Sequence, residues 1–223
     1  MRLADLARYR QAAYRLLGEA LRSPENERVA TLSSVAAELR EHPGPLADLA
    51  VFPEWLEFLR AVARWTDGAA AGLDETYVRL FAVSSEGICS PFASQYLAAG
   101  VPAAQMAAFE REYARAGLAP SVQAAEPPDH VAVAFDFMAH LCAVEASAWE
   151  RGDRAGAANQ LELETGFLER SLCSWLPEFA RSVAAHDAGG FYAAATKAAA
   201  TFAAHDLEMG AALASRLRQG DGR

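Results

Sequence analysis

The spacing of apolar residues constrains this chain more than any other feature of its sequence. Apolar positions recur at intervals of three and four, alanine is abundant, and alternating runs of Val, Ile and Thr are missing. This spacing places apolar side chains on one face of an α-helix, whereas strict alternation is typical of a half-buried strand. We therefore expect an all-α fold with no β-sheet.

Proline residues indicate where several of the helices begin and end. The first helix spans about Ala4 to Leu21, and Ser23-Pro24 ends it because proline disfavours helix at the residue that precedes it. Pro53 and Pro102 suit the first turns of later helices, where no intrahelical N–H donor is needed. Between these two prolines we expect Asp74 to cap a short helix. The whole pattern predicts a bundle of about ten helices.

A proline-rich segment divides this pattern into two halves. Residues 119–130 contain Pro120, Pro127 and Pro128 among small residues and show no helical period. This composition is typical of a semi-rigid connector. We therefore expect an N-terminal helical half, 1–118, a hinge, 119–130, and a C-terminal helical half, 131–223, that together form one compact unit.

The helix that follows the hinge is apolar on nearly all sides. Val131, Phe135 and Met138 lie on one side of it, and Phe137 lies on another. A helix of this kind is buried at the centre of a bundle. We expect it to span residues 127–149.

The balance of charge bears on possible partners. The chain has 20 basic and 29 acidic residues, a net charge of −9, and no cluster of Lys and Arg interleaved with aromatic residues. We therefore expect no nucleic-acid partner. An acidic surface suits a basic peptide, although an excess of Asp and Glu more often serves solubility.

Cysteine usage and the length of apolar stretches bear on the compartment. Cys89, Cys142 and Cys173 are odd in number and widely spaced, which fits neither a disulfide framework nor a metal site and indicates a reducing compartment. Charges interrupt the N-terminus, and no stretch approaches the roughly 18 apolar residues of a membrane span. We expect a cytoplasmic protein without stable membrane insertion.

The common motifs of catalysis are missing. There is no glycine-rich phosphate loop, nucleophile elbow or His-Glu-x-x-His sequence. A di-iron bundle needs Glu-x-x-His on two helices, whereas this chain offers only Asp136 with His140 and His205 with Glu208. We expect no catalytic residue, metal or other cofactor. Two alternatives stay open. One is a helical metal-dependent oxygenase. The other is the ligand-binding half of a transcription regulator, although no basic helix-turn-helix precedes the core of this chain.

The motif Glu126-Pro127-Pro128-Asp129-His130 stands at the start of the central helix. Prolines are tolerated in a first turn, and acids there complement the helix dipole. On composition alone, the simpler interpretation is that Glu126 or Asp129 caps free N–H groups and that His130 is an exposed first-turn residue.

Together with three further segments, this motif resembles the TorD/DmsD/NarJ-like maturation chaperones of molybdenum redox enzymes. That family carries a Glu-Pro-x-Asp-His hinge before an apolar helix with a Phe-Met pair, here Phe137-Met138. Residues 77–81 are similar to its Tyr-x-x-Leu-Phe helix end, and residues 90–97 to its Pro-aromatic-x-Ser-x-Tyr-Leu segment. Residues 167–179 and 191–192 are similar to its late helices. The resemblance covers about residues 9–207.

The chain departs from the family pattern in two places. The loop after Phe81 lacks a glycine-proline pair, and Phe92 stands where some members have tryptophan. These departures concern the shape of the binding pocket and the choice of client.

The resemblance implies a TorD-like all-α chaperone in two halves, with no enzymatic activity. The implied partner is the catalytic subunit precursor of a molybdenum-cofactor oxidoreductase. The chaperone would bind the twin-arginine leader of this client, assist cofactor insertion and proofread the client before export. The hinge permits either a monomer or a hinge-swapped dimer.

The resemblance also implies which residues bind the leader. The apolar part of the leader, if helical, would lie along aromatic side chains, and its arginines would pair with Glu126 and Asp129. Tyr77 and Phe81 are equally consistent with ordinary core packing. The expected leader-binding residues are Tyr77, Phe81, Pro91, Phe92, Ser94, Tyr96, Glu126, Pro127, Asp129 and His130.

Overall fold

The computed structural model describes residues 2–41, 52–64, 70–82, 88–97, 102–119 and 126–220 of the chain. Within these ranges the chain forms nine α-helices and no β-strand, which confirms the predicted all-α fold. Two π-helical turns, Val78–Ala82 and Leu168–Leu172, and a 3-10 turn, Ala93–Gln95, complete the order of elements. The helices are α1 Leu3–Ala20, α2 Asn26–Glu41, α3 Phe52–Ala63, α4 Ala70–Tyr77, α5 Pro102–Arg115, α6 Val131–Glu150, α7 Arg154–Phe167, α8 Leu176–His186 and α9 Phe191–Gly220.

Helix α6 lies at the centre of the bundle, as its apolar sequence predicts. Helices α1 and α7 pack along it, and α9 packs on α3, α7 and α8. Phe135 and Met138 of α6 are completely buried. Gly18 of α1 faces α6, where a Cβ atom added at Gly18 would lie in ordinary contact, 3.4 Å from the carbonyl oxygen of Ala132.

Aromatic side chains from both predicted halves share one core. The ring of Phe202 in α9 contacts Tyr14 of α1 and Trp55 of α3, with ring centroids 5.0 and 5.6 Å apart. Helices α1 and α3 therefore pack directly against helices that follow the hinge. The division of the chain at residues 119–130 stays a prediction, since residues 120–125 lie outside the described ranges.

The predicted start of α4 was wrong. This helix begins at Ala70, so Asp74 lies inside it instead of capping it. The prediction used only the capping preference of Asp, which competes with every other local preference near a helix start.

The expectation about apolar stretches also needs correction. Within the described residues, the single helix Val131–Glu150 is long and apolar enough to cross a membrane by length and composition. However, 67% of its apolar window is buried inside the bundle. The core helix of a globular protein passes the same test, so this finding is weak support for a membrane span.

A buried ionic cluster links α1 to three other helices, and no local sequence pattern indicates it. Arg10 donates to Glu145 of α6 at 2.6 Å, to Asp206 of α9 at 2.5 Å and to Glu164 of α7. Tyr14 also donates to Asp206, at 2.7 Å. The four charged side chains are at most 2% exposed. Three carboxylates surround one guanidinium group, so full ionisation would leave two uncompensated negative charges in the core.

Candidate functional site

The central helix begins at His130, which caps it. The backbone of His130 is extended, and its Nδ1 accepts a hydrogen bond from the backbone N–H of Ala132 at 3.2 Å. Helix α6 therefore starts at Val131, four residues later than the sequence predicts. The capping side chain is His130 and not Glu126 or Asp129. The side chain of His130 is only 1% exposed, so the interpretation of His130 as an exposed first-turn residue was wrong.

Asp129 holds a distant segment, residues 90–97, against the start of α6. Its carbonyl oxygen accepts from the backbone N–H of Ala93 at 3.0 Å, and its Oδ2 accepts from that of Ser94 at 3.1 Å. The N–H of Val131 in turn donates to the carbonyl oxygen of Pro91 at 2.9 Å. Because Asp129 is 1% exposed, its carboxylate serves here as the cap of the 3-10 turn that follows Phe92. We call residues 90–97 the docked segment.

Phe92 completes this contact from the docked segment. It forms an isolated antiparallel bridge with His130, and the two rings meet edge to face with centroids 5.4 Å apart. Burial, and then the charge of Arg22, lower the pKa of His130 to about 4. His130 is therefore neutral at pH 7, and because its Nδ1 accepts a hydrogen bond, its proton lies on Nε2.

Glu126 lies beside His130 at the surface. Its Oε2 is 3.9 Å from His130 Nε2, which is longer than a hydrogen bond, and its side chain is 30% exposed. Since His130 is neutral at pH 7, this contact leaves the charge of Glu126 uncompensated. Pro127 is exposed, and its carbonyl oxygen accepts from the N–H of His130 at 3.1 Å.

The aromatic candidates before the docked segment belong largely to the core. Phe81 is 8% exposed, and its ring contacts Phe179 and Tyr192. Tyr77 is half-buried, and its ring centroid lies 5.1 Å from that of Phe81. Burial, and then the charge of Glu126, raise the pKa of Tyr77 to about 12, so Tyr77 lies within electrostatic reach of the hinge.

Tyr96 also packs against Phe179. Its ring stacks on Trp175 with centroids 5.6 Å apart, and its hydroxyl donates to the carbonyl oxygen of Ser90 at 2.9 Å. Phe179 contacts both Tyr96 and Phe81, each at 6.0 Å. The fold thus brings Tyr96 and Phe81 into contact with the same core residue.

Two arginines near the hinge were not singled out from the sequence. Arg22, at the end of α1, pairs with Glu19 at 2.9 Å and with Asp136 of α6. Arg28 of α2 pairs with the other oxygen of Glu19 at 2.8 Å. The only sequence signal is the spacing of three residues between Glu19 and Arg22, which favours an ion pair near a helix end. We call Glu19, Arg22, Arg28 and Asp136, with the more distant Glu25, the arginine cluster.

A small pocket opens beside the arginine cluster. It encloses about 200 Å³ of empty space, including the part open to solvent. Glu19, Arg22 and Arg28 contribute its charged lining, and the apolar lining includes Leu73 and Tyr192. Tyr192 also contacts the ring of Tyr77 at 6.0 Å. The pocket therefore borders the aromatic residues predicted from the sequence.

The site offers little for catalysis. Among the described residues, no group of three or more His, Cys, Asp or Glu side chains could hold a metal ion. Cys89 lies 3.8 Å from His186 Nδ1, but this nitrogen is 2.9 Å from the carbonyl oxygen of Ser182, which can only accept a hydrogen bond. His186 Nδ1 therefore carries a proton and cannot take one from the thiol. Burial also raises the pKa of Cys89, which disfavours the reactive thiolate.

The family model for the nitrate reductase delta subunit matches residues 34–181, a span that includes the docked segment, the hinge and α6. The chain belongs to the nitrate reductase delta subunit family. A protein named chaperone protein TorD from Vibrio cholerae is 34% identical over 179 residues, covering 77% of this chain and 78% of its own length. A protein of the same name from Vibrio vulnificus is 30% identical over 166 residues, covering 71% of this chain and 74% of its own length. These findings confirm the resemblance drawn from the sequence motifs.

A solved structure adds one further comparison. A candidate redox enzyme maturation protein from Archaeoglobus fulgidus is 21% identical to this chain. The superposition covers 90% of this chain and 92% of that protein, with a TM-score of 0.48. The relatives from Vibrio cholerae and Vibrio vulnificus are named chaperones and not catalysts, which agrees with the expectation that this member of the nitrate reductase delta subunit family is not an enzyme.

In this nitrate reductase delta subunit family member, the expected site residues fall into three groups. The docked segment and the hinge are in direct contact through Pro91, Phe92, Ser94, Asp129 and His130. Glu126 and Pro127 lie at the surface beside them. The rings of the third group, Tyr77, Phe81 and Tyr96, pack around Phe179 and Tyr192.

Proposed function

We propose that this protein is a cytoplasmic chaperone for the catalytic subunit precursor of a molybdenum-cofactor oxidoreductase. It binds the twin-arginine leader of this client, assists cofactor insertion and proofreads the client before export. The observation that carries the proposal is the match to proteins named chaperone protein TorD over 77% of the chain. The match to the delta subunit family, which includes the hinge, supports the same assignment.

In this proposal Glu126 is the first acceptor of a leader arginine. Its side chain is 30% exposed, and its neighbour His130 is neutral at pH 7. An arginine that reaches Glu126 can form two parallel charge-assisted hydrogen bonds with the carboxylate. Such bonds contribute about 1.5–3 kcal/mol each when the site is shielded from water.

Asp129 has a different part in the free protein. Its Oδ2 is already bonded to the N–H of Ser94, and the side chain is 1% exposed. Asp129 therefore positions the docked segment, and it can accept a leader arginine only after this segment has moved away. This sequence of events refines the expectation that both acids are open to the leader.

The apolar part of the leader would cover the half-buried rings of Tyr77, Phe92 and Tyr96. These rings keep part of their surface in water, so covering them stabilises the complex by about 25 cal/mol per Å² of apolar area. Phe81 is 8% exposed and lies behind Tyr77 in the core. In the proposal Phe81 supports Tyr77 and gains little direct contact with the leader.

The test measures binding of a synthetic peptide with two adjacent arginines followed by an apolar, helix-forming stretch. Calorimetry with purified protein should show specific binding that weakens when both arginines are replaced by glutamine. Glu126→Gln should weaken binding about tenfold or more, because one charge-assisted contact is lost. Glu110→Gln removes an exposed acid of α5 and serves as the control. The proposal fails if the wild-type protein does not distinguish the two peptides.

The oligomeric state stays a prediction of a monomer or a hinge-swapped dimer. Sedimentation of the purified protein over a range of concentrations separates these two states. In a swapped dimer, α1 of one chain would pack on α6 of the other chain. The contacts between these two helices would therefore be kept.

A further inference from the structure

The arginine cluster holds two guanidinium groups of the chain itself on carboxylates beside the proposed leader site. Arg22 bonds to Glu19 and Asp136, and Arg28 bonds to Glu19. The side chains of Glu19 and Asp136 are 43% and 49% exposed, whereas those of Arg22 and Arg28 are only 19% and 23% exposed. The carboxylates therefore stay accessible to a second guanidinium group from solvent.

The acidic side chains of this region outnumber its basic side chains. Glu19, Glu25 and Asp136, together with the neighbouring Glu126, contribute four negative charges against the positive charges of Arg22 and Arg28. The formal excess is two negative charges. Glu126 belongs to this group electrostatically, because its charge acts with Asp136 and Glu19 to raise the pKa of Arg22 against the opposing effect of burial.

Apolar side chains that are at most 7% exposed adjoin these charges. The pocket beside Arg22 and Arg28 is also lined by Leu32, Leu73 and Tyr192. Its Tyr192 contacts Tyr77, which we expect to meet the apolar part of the leader. A segment with two positive charges therefore matches the charge of this region, and its apolar part would lie on the half-buried ring of Tyr77.

We propose that Arg22 and Arg28 occupy the place of the leader's arginine pair in the free chaperone, and that the leader must compete with them for Glu19 and Asp136. This inference rests on the proposed function and adds a mode of regulation to its site. The internal arginines keep the acids partly compensated until a client arrives. They also favour segments with two arginines, because a segment with one arginine compensates only one of the two excess negative charges.

Competition predicts that removing an internal arginine tightens binding. The peptide with two adjacent arginines and an apolar stretch serves as the probe. Arg28→Gln should bind it about two- to fivefold more tightly than the wild-type protein, which is the strength of one partly exposed ion pair. Arg22→Gln should act in the same direction. Replacing both Glu19 and Asp136, by Gln and Asn, should weaken binding at least about tenfold.

Net charge must be separated from local competition. Arg8 forms an exposed ion pair with Glu150 away from the cluster, at 2.9 Å. Arg8→Gln therefore changes the net charge as Arg28→Gln does, but it should leave binding of the probe unchanged. If Arg8→Gln tightens binding as much as Arg28→Gln, the inference is overturned.

The outcomes also separate this inference from the proposed function. If the wild-type protein does not bind the probe, the proposed function itself fails. If the wild-type protein binds but Arg22→Gln and Arg28→Gln bind equally or more weakly, only the competition fails, since the internal arginines would then support the site. Helicity by circular dichroism confirms that each variant is folded, and Arg28→Gln decides the test alone if Arg22→Gln does not fold.

Discussion

Glu164 is expected to make the protein less stable as the pH rises from 6.5 to 8. Its side chain is completely buried, one oxygen accepts from Arg10, and Oε1 has no hydrogen-bond partner. Burial, opposed by Arg10 and reinforced by Glu145 and Asp206, raises the pKa of Glu164 from 4.5 to about 8. At pH 6.5 the folded protein therefore holds a proton on Glu164 that the unfolded chain has released.

The sign and size of the effect follow from this difference in bound protons. A group whose pKa is higher in the folded state contributes stability that is complete below its unfolded pKa and is lost as the pH rises through its folded pKa. Well below pH 8 each pH unit removes about 1.4 kcal/mol, and at pH 8 Glu164 is half-ionised, so about 1.6 kcal/mol of the free energy of unfolding is lost between pH 6.5 and 8.

His130 does not obscure the effect in this range of pH. Its pKa is lowered from 6.5 to about 4, so it contributes stability that is lost on acidification below pH 6.5. Between pH 4 and 6.5 its effect opposes that of Glu164. Above pH 6.5 its contribution is complete and constant.

Urea unfolding at pH 6.5 and pH 8, followed by circular dichroism, measures the expected change. Glu164→Gln removes the titrating group at nearly constant size, so this variant should lose no stability between the two pH values. Glu162→Gln replaces a carboxylate on the same helix that is 56% exposed, and it should keep the wild-type dependence. The reasoning is refuted if the wild-type protein and Glu164→Gln depend on pH in the same way.

Two further substitutions test how the fold is held together, both by urea unfolding at pH 7. Arg10→Met leaves the three buried acids without their cation and should lower the free energy of unfolding by about 3–5 kcal/mol. Arg8→Met, at an exposed pair, should cost at most about 1 kcal/mol. Equal losses would mean that the buried cluster is not stabilised by Arg10. His130→Ala removes a helix cap and a ring contact and should cost about 2 kcal/mol, while His130→Asn keeps a capping oxygen and should cost about half as much. If His130→Ala and His130→Asn lower the free energy of unfolding equally, the capping hydrogen bond does not stabilise the helix.

Helix α6 illustrates how much of the fold could be predicted from the sequence. Its apolar residues on all sides predict a buried central helix, and Phe135 and Met138 are completely buried. Its first residue could not be predicted from local preferences. Prolines are tolerated at residue 127, but Asp129 and His130 adopt a turn and an extended conformation to bond with the docked segment. This segment lies about 35 positions earlier in the chain, beyond any local rule.

The candidate site shows the same limit. The motifs identified the docked segment and the hinge, and these two segments are in contact. Residue type alone could not separate Asp129, which is 1% exposed, from Glu126, which is 30% exposed. Both are acids beside prolines, and only the docked segment buries one of them. The aromatic candidates divide for the same reason, since Phe81 is covered by α8 and α9 while Tyr77 remains half-buried.

By itself, the sequence determined the all-α fold class, the central apolar helix and the family to which the chain belongs. These properties depend on periodicity and on short motifs, which act between residues that are near each other in the chain. Only the tertiary structure decided the burial of Arg10 among three carboxylates, the role of Asp129 and the position of Arg22 beside Asp136. Each of these depends on which distant helices meet, because burial and pairing arise from contacts that no local pattern encodes.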